Sequence, residues 1–204
     1  MIEITVGIDE NISSFYIPQI VDPAKNSLLA YYFEMLNMKE KDGLHISADP
    51  NEFKDYIAGL FHSLYPRLTH RTGGGGDLCP LYVRMCAHAW VIGWQMGDIE
   101  YKTLAMKLLI ECFEEYEGGY DLHSPFTMEH LVYVYRHTDP ASDLRQFFAD
   151  VYGKMVAEDA DVLFNDTKEF TKIPDMMKDV IEAAHAIKKD SGYLQRQMEG
   201  RYSD

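Results

Sequence analysis

Apolar positions at the start of the chain alternate strictly. Ile2, Ile4, Val6 and Ile8 fall on one face and predict a half-buried strand. Asp9-Glu10-Asn11 supplies a turn, and Ser14 to Ile20 reads as a second strand ending at Pro18, so a hairpin is expected. The period then lengthens. Asp22-Pro23 opens a helix, with the Asp as cap and the Pro in the first turn. Leu28, Leu29, Tyr32, Phe33 and Leu36 turn inward from it. Lys39 to Gly43 is a charged turn and Leu44 to Ala48 a short strand. Asp49-Pro50 starts another helix that points Phe53, Ile57, Leu60 and Phe61 inward.

Pro66 to Pro80 breaks the pattern with Gly73 to Gly76 and little apolar content, as a mobile loop does. Beyond it the period is helical throughout. Leu81 to Met96 forms an apolar helix ended by Gly97. Asp98 caps the next, which runs to about Glu117 and buries Leu104, Leu108, Leu109, Cys112, Phe113 and Tyr116. Ser124-Pro125 starts a helix reaching Val134 or Tyr135, and Asp143 to Met155 forms one more around Leu144, Phe147, Phe148, Val151 and Tyr152. Glu158 to Lys172 reads as a polar stretch, Pro174 opens a last helix to about Asp190, and Gly192 to Asp204 reads as a frayed tail. The fold class expected is α+β: a small mixed sheet flanked by helices, with further helices at the C-terminal end.

Composition narrows the function. Apolar residues make up 47% of the 204, enough to build a core. The net charge of −14 opposes both the counterion release that drives nucleic-acid binding and attraction to anionic membranes. Arg67, His70, Arg71 and Lys188-Lys189 do not form a basic groove with interleaved aromatics. No stretch is long and apolar enough to span a bilayer, and the start lacks a secretion pattern. The cysteines Cys79, Cys86 and Cys112 are odd in number and sparse, as expected in a reducing compartment. The glycosylation triplets at Asn11 and Asn165 then read as chance matches.

Candidate chemistry is thin. After Gly73 to Gly76 a phosphate loop needs Lys followed by Ser or Thr, and Asp77-Leu-Cys stands there instead. His123, His130 and His137 recur every seven residues, about 10 Å along a helix and too far apart to share one metal. No nucleophile elbow is present, and Glu111, Glu114, Glu115 and Glu117 read as a solvated face. No catalytic, cofactor-binding or metal site is therefore assigned. The 14 tyrosines and 11 methionines suit either a core or adaptable protein contacts. The helix after Pro174 is amphipathic. Ile173, Met176, Met177, Val180, Ile181 and Ile187 form an apolar stripe that packs on the chain's own domain or docks in a partner's groove; these six are the candidate protein-binding residues.

Several stretches carry a family resemblance. They are Ile4-Thr-Val-Gly with Phe15-Tyr-Ile, Ser27 with Tyr32-Phe33, and Leu44-His-Ile-Ser with Asp49-Pro-Asn-Glu-Phe53 and Tyr65. Ala87-His-Ala, Met96-Gly-Asp and Leu104-Ala-Met-Lys follow, then Leu131-Val-Tyr-Val-Tyr-Arg-His-Thr, Leu144-Arg and Asp150-Val-Tyr. In this order they resemble the BTB/POZ domain, in its divergent fungal branch, over roughly residues 2–155. Pro18-Gln19 departs from the pattern, standing where the family usually has His-Lys. The resemblance implies a BTB/POZ-like domain over residues 1–122 and a helical extension over 123–204. It further implies a non-enzymatic adaptor or scaffold in an intracellular complex, nuclear or cytoplasmic, with chromatin or transcription among the settings the family serves. Its partner is another protein or a second copy, with no nucleic acid, membrane, small-molecule substrate or cofactor. The alternatives are a substrate adaptor of a cullin-type ubiquitin ligase and, in another class, an enzyme with scattered catalytic residues.

Overall fold

In the computed structural model, which describes residues 2–8, 11–17, 44–46, 48–62, 80–117, 124–162 and 167–200, the opening alternation folds as a hairpin. Strand β1 (Ile2–Ile8) pairs antiparallel with β2 (Asn11–Ile17), setting Ile2 opposite Ile17 and Ile8 opposite Asn11. The second strand thus begins three residues earlier than its apolar content suggested, because backbone pairing extends through the polar Asn11 and Ser13. Strand β3 (Leu44–Ile46) runs parallel to β1, Ile4 beside Leu44 and Val6 beside Ile46, and stops two residues short of Ala48. The sheet order is β2-β1-β3. The described residues are mostly helical with this small mixed sheet, an α+β architecture. The expected helix from Asp22, the glycine loop and His123 lie outside the described residues.

Residue contacts divide the chain into two compact units. The first comprises Met1–Gly74 and His88–Ala105. Helix α1 (Pro50–His62) starts where expected: the Asp49 carboxylate accepts the Asn51 N–H at 2.8 Å, and Pro50 needs no partner at a first position. Ile4, Val6, Ile46, Phe53 and Tyr56 are buried to within 1%. The Phe53 ring stands edge-on to Phe15 of the hairpin at 5.1 Å, and Tyr56 tilts against Tyr101 at 4.9 Å.

Helices α2 (Pro80–Met96) and α3 (Ile99–Glu117) contribute residues to both units. Gly97, at φ 67, ends α2: its N–H reaches Trp94 O at 3.2 Å while the Asp98 N–H reaches Gly93 O at 2.8 Å. A side chain at that φ is strained, so glycine suits the position. Asp98 then caps α3, its Oδ1 accepting the Tyr101 N–H at 2.9 Å and its Oδ2 the Tyr56 hydroxyl at 3.2 Å. A buried carboxylate is thereby held by a backbone and a side-chain donor in the first unit.

The second unit comprises Gly75–Ala87 and Met106–Asp204. It includes α4 (Met128–His137), α5 (Asp143–Glu158), α6 (Thr167–Lys172), α7 (Pro174–Lys189) and α8 (Tyr193–Gly200). Its core joins Phe126 to Phe113 at 6.1 Å, to Phe147 at 6.0 Å and to Phe148 at 5.9 Å. Three expectations need correction. Ser124-Pro125 does not start α4, because Ser124 Oγ takes the Phe126 N–H at 3.2 Å in a turn and the helix begins at Met128. The polar stretch to Lys172 contains α6, anchored by the buried Phe170. The tail after Gly192 is helical as far as Gly200, because Leu194 and Met198, one turn apart, are both buried.

Candidate functional site

The six residues singled out on α7 do not share one environment. Met176 and Val180 are fully buried, Ile173, Ile181 and Ile187 are half-buried, and Met177 alone of the six is exposed, at 40%. The contact behind this is with α5. A Cβ added at Gly153 would meet the Ala183 Cβ at 2.6 Å and the Ala184 nitrogen at 2.8 Å, so the two helices approach at backbone distance where neither carries bulk. The apolar stripe of α7, at Met176, Val180, Ala183 and Ala184, is core of the second unit.

Polar contacts fix the same helix. The Tyr135 hydroxyl of α4 donates to Asp179 Oδ2 of α7 at 2.7 Å. Burial, the Asp179 hydrogen bond and the Asp179 charge push the Tyr135 phenol far above its ordinary range. Arg145 of α5 donates from Nη2 to the Tyr135 carbonyl at 2.8 Å and to the Thr138 carbonyl, and its guanidinium lies 4.5 Å from the Tyr135 ring centre. A buried cation thus meets the negative end of the α4 dipole. Asp150, fully buried on α5, accepts from Gln146 at 3.0 Å and from the Tyr193 hydroxyl of α8 at 3.4 Å. These residues form a structural lattice of α4, α5, α7 and α8. The sequence did not show these pairings, because the Tyr135–Asp179 and Asp150–Tyr193 bonds join residues more than forty positions apart and leave no local pattern.

The histidines take separate roles. His130 Nδ1 accepts the Thr127 N–H at 3.2 Å. His137 stacks on Tyr133 at 4.3 Å, with Nδ1 2.8 Å from the Tyr133 carbonyl. Among the described residues no group of three or more His, Cys, Asp or Glu is placed to hold a metal. Cys86 and Cys112 are buried in α2 and α3. Glu117, from the acidic end of α3, pairs with Lys154, which also reaches Glu158 at 3.4 Å. Partial burial, with Glu158 and Glu117 nearby, raises the Tyr116 phenol.

Two features face outward. On the first unit, Ile12 and Tyr16 of β2 are 56% and 61% exposed, on the sheet face opposite Phe15. Tyr16 donates to Glu3 at 3.3 Å. Among the described residues no strand pairs with the outer edge of β2. On the second unit, an open cleft of about 660 Å³ between α4 and α6 is lined by Thr127, Met128, Glu129, Val132, Arg136 and Glu169. Met128 and Val132 are its apolar part, and Glu169 is tied to Lys172 at 2.6 Å. The exposed pair on β2 was missed because only Ile4 and its neighbours were followed to a face. Continuing the alternation through Ile12, Ser14 and Tyr16 would have found it.

No described helix is long and apolar enough to cross a membrane. Against known proteins, no family model, no curated protein and no solved structure matches this chain.

Proposed function

We propose that the chain is a non-catalytic protein-interaction module of the BTB/POZ type, serving as an adaptor or scaffold subunit. The strand order supports the fold half of this reading. A hairpin, a third strand parallel to the first, a helix and then a helix pair is the order in which the resembling stretches occur. Parallel pairing of β1 and β3 needs a crossover, and residues 18–43 are long enough to supply one.

The observation that carries the interaction half is the exposure of Ile12 and Tyr16 on one face of a sheet strand. Large apolar and aromatic side chains presented together are the usual anchors of a protein interface. The partner is a second copy of the chain or another protein. The test is the double substitution Ile12→Thr with Tyr16→Thr, which keeps strand-forming residues and sets no carboxylate opposite Glu3. Both side chains point outward, so the variant is expected to keep its Tm while losing self-association in sedimentation velocity, or a stoichiometric partner recovered from cell extract. Wild-type protein that neither self-associates nor recovers a partner, or a variant that binds as well as wild type, overturns the reading.

A further inference from the structure

Strand alternation sorts the side chains of the small sheet onto two faces. Ile4 and Val6 are buried on the inner face, with Phe15 against Phe53 of α1. The outer face follows the β1–β2 register in rows: Tyr16 beside Glu3, Ser14 beside Thr5, and Ile12 beside Gly7. His45 of β3 extends the middle row next to Thr5. Both large side chains are held before anything binds. The Tyr16 hydroxyl donates to Glu3 Oε1 at 3.3 Å. Ile12 leans over the glycine opposite, where an added Cβ would lie 2.8 Å from Ile12 Cγ1. Anchors fixed in advance lose less freedom on binding. Between them Ser14 and Thr5 carry only short side chains. The face is therefore a saddle, with its two walls, Ile12 and Tyr16, four strand residues or about 14 Å apart.

Charge decides what fits there. Glu3 is exposed, and a carboxylate accepts at both oxygens, of which the Tyr16 hydroxyl takes one. The surrounding sequence has a single sign: Met1 to Ala24 holds Glu3, Asp9, Glu10 and Asp22 and no Lys, Arg or His. A second copy would bring the same carboxylates against these, on a chain of net charge −14. A segment that carries Lys or Arg near an apolar side chain meets both the anchors and the carboxylate. We propose that the outer face of the sheet binds a basic, partly apolar segment of another protein, its apolar side chain seated between Ile12 and Tyr16 and its Lys or Arg on Glu3. This rests on the reading of that face as a protein-binding surface and adds the chemistry of the partner.

The probe is a library of short random peptides, displayed on phage and selected against the full chain at about 0.15 M salt, where diffuse attraction is screened. Affinities of the enriched peptides are then measured in solution. These peptides are expected to combine Lys or Arg with a large apolar residue. Ile12→Thr with Tyr16→Thr should weaken them at least about tenfold. Glu3→Gln keeps an acceptor for Tyr16 without the charge and should weaken them about three- to fivefold. Exchanging the peptide's Lys or Arg for Gln should give a similar loss against the wild type, with no change to the folded chain. Glu100→Gln removes the same charge from an exposed position on α3 in the first unit and should leave binding unchanged. Peptides that need Ile12 and Tyr16 but lack basic residues, or that bind Glu3→Gln as well as wild type, overturn the basic partner and leave the protein-binding face standing. So does an equal loss in Glu100→Gln, or a wild-type dimer in sedimentation velocity that the Ile12 and Tyr16 double variant dissolves. No enriched peptide, or peptides indifferent to the double variant, overturns both.

Discussion

Phe53 is fully buried in the first unit, with the Phe15 ring on one side and Tyr56 at 5.8 Å on the other. Phe53→Ala is expected to cost about 3–5 kcal/mol in urea unfolding, because the sheet and α1 cannot both collapse into the cavity. Gly153→Ala acts in the opposite sense, forcing a methyl group against Ala183 and the α7 backbone. It is expected to destabilise by about 1–3 kcal/mol even though alanine favours helix. Tyr135→Phe removes the hydroxyl from Asp179 and is expected to cost about 1–3 kcal/mol near neutral pH. It also changes the alkaline limb. The folded phenol is raised far above its unfolded value, so its stabilising contribution is full below about pH 10 and declines as the pH rises further. Wild-type protein should lose stability more steeply above about pH 10 than Tyr135→Phe. Phe53 was legible in the sequence from its inward position after Asp49-Pro50. Gly153 and Tyr135 were not, since their roles depend on residues of α7 that are distant in the chain.

Helices that bury a long stripe were legible; short ones were not. Helix α3 matches its expected bounds because Asp98 caps it and apolar residues recur through four turns. Helix α7 was bounded by Pro174 and Asp190 for similar reasons. Helix α8 is only eight residues long and offers only Leu194 and Met198 to the core, too few to raise a periodic signal. Its attachment is nevertheless testable. Two buried apolar side chains stabilise by about 1.5–3 kcal/mol each as an upper bound, so a chain ending at Asp190 should melt several degrees lower in differential scanning calorimetry. An unchanged Tm would mean that α8 contributes nothing to the second unit. The start of α4 was misplaced because Ser-Pro is a common helix opening, yet Ser124 serves the Phe126 turn and Thr127 caps the helix instead.

At the scale of the molecule, the α+β class was legible because the apolar period changes from two to nearly four along the chain. The parallel placement of β3 beside β1 was not, since nothing in Leu44 to Ile46 states which neighbour it joins. The candidate surface was the least legible part. The α7 stripe that suggested docking supplies core at Met176 and Val180, whereas Ile12 and Tyr16 lie exposed on a strand. With a net charge of −14, association with a basic partner should accelerate as salt is lowered. The central claim is that the outer face of the sheet is a protein-binding surface. Its most direct test places a photo-crosslinking amino acid at Tyr16 in the full chain and irradiates it in the source cell. The expected result is one dominant adduct, with a second copy of the chain or with a single other protein, and none from the same group at the buried Phe53. Position 16 giving no adduct, or a diffuse set no different from an exposed control at Lys178, would contradict it.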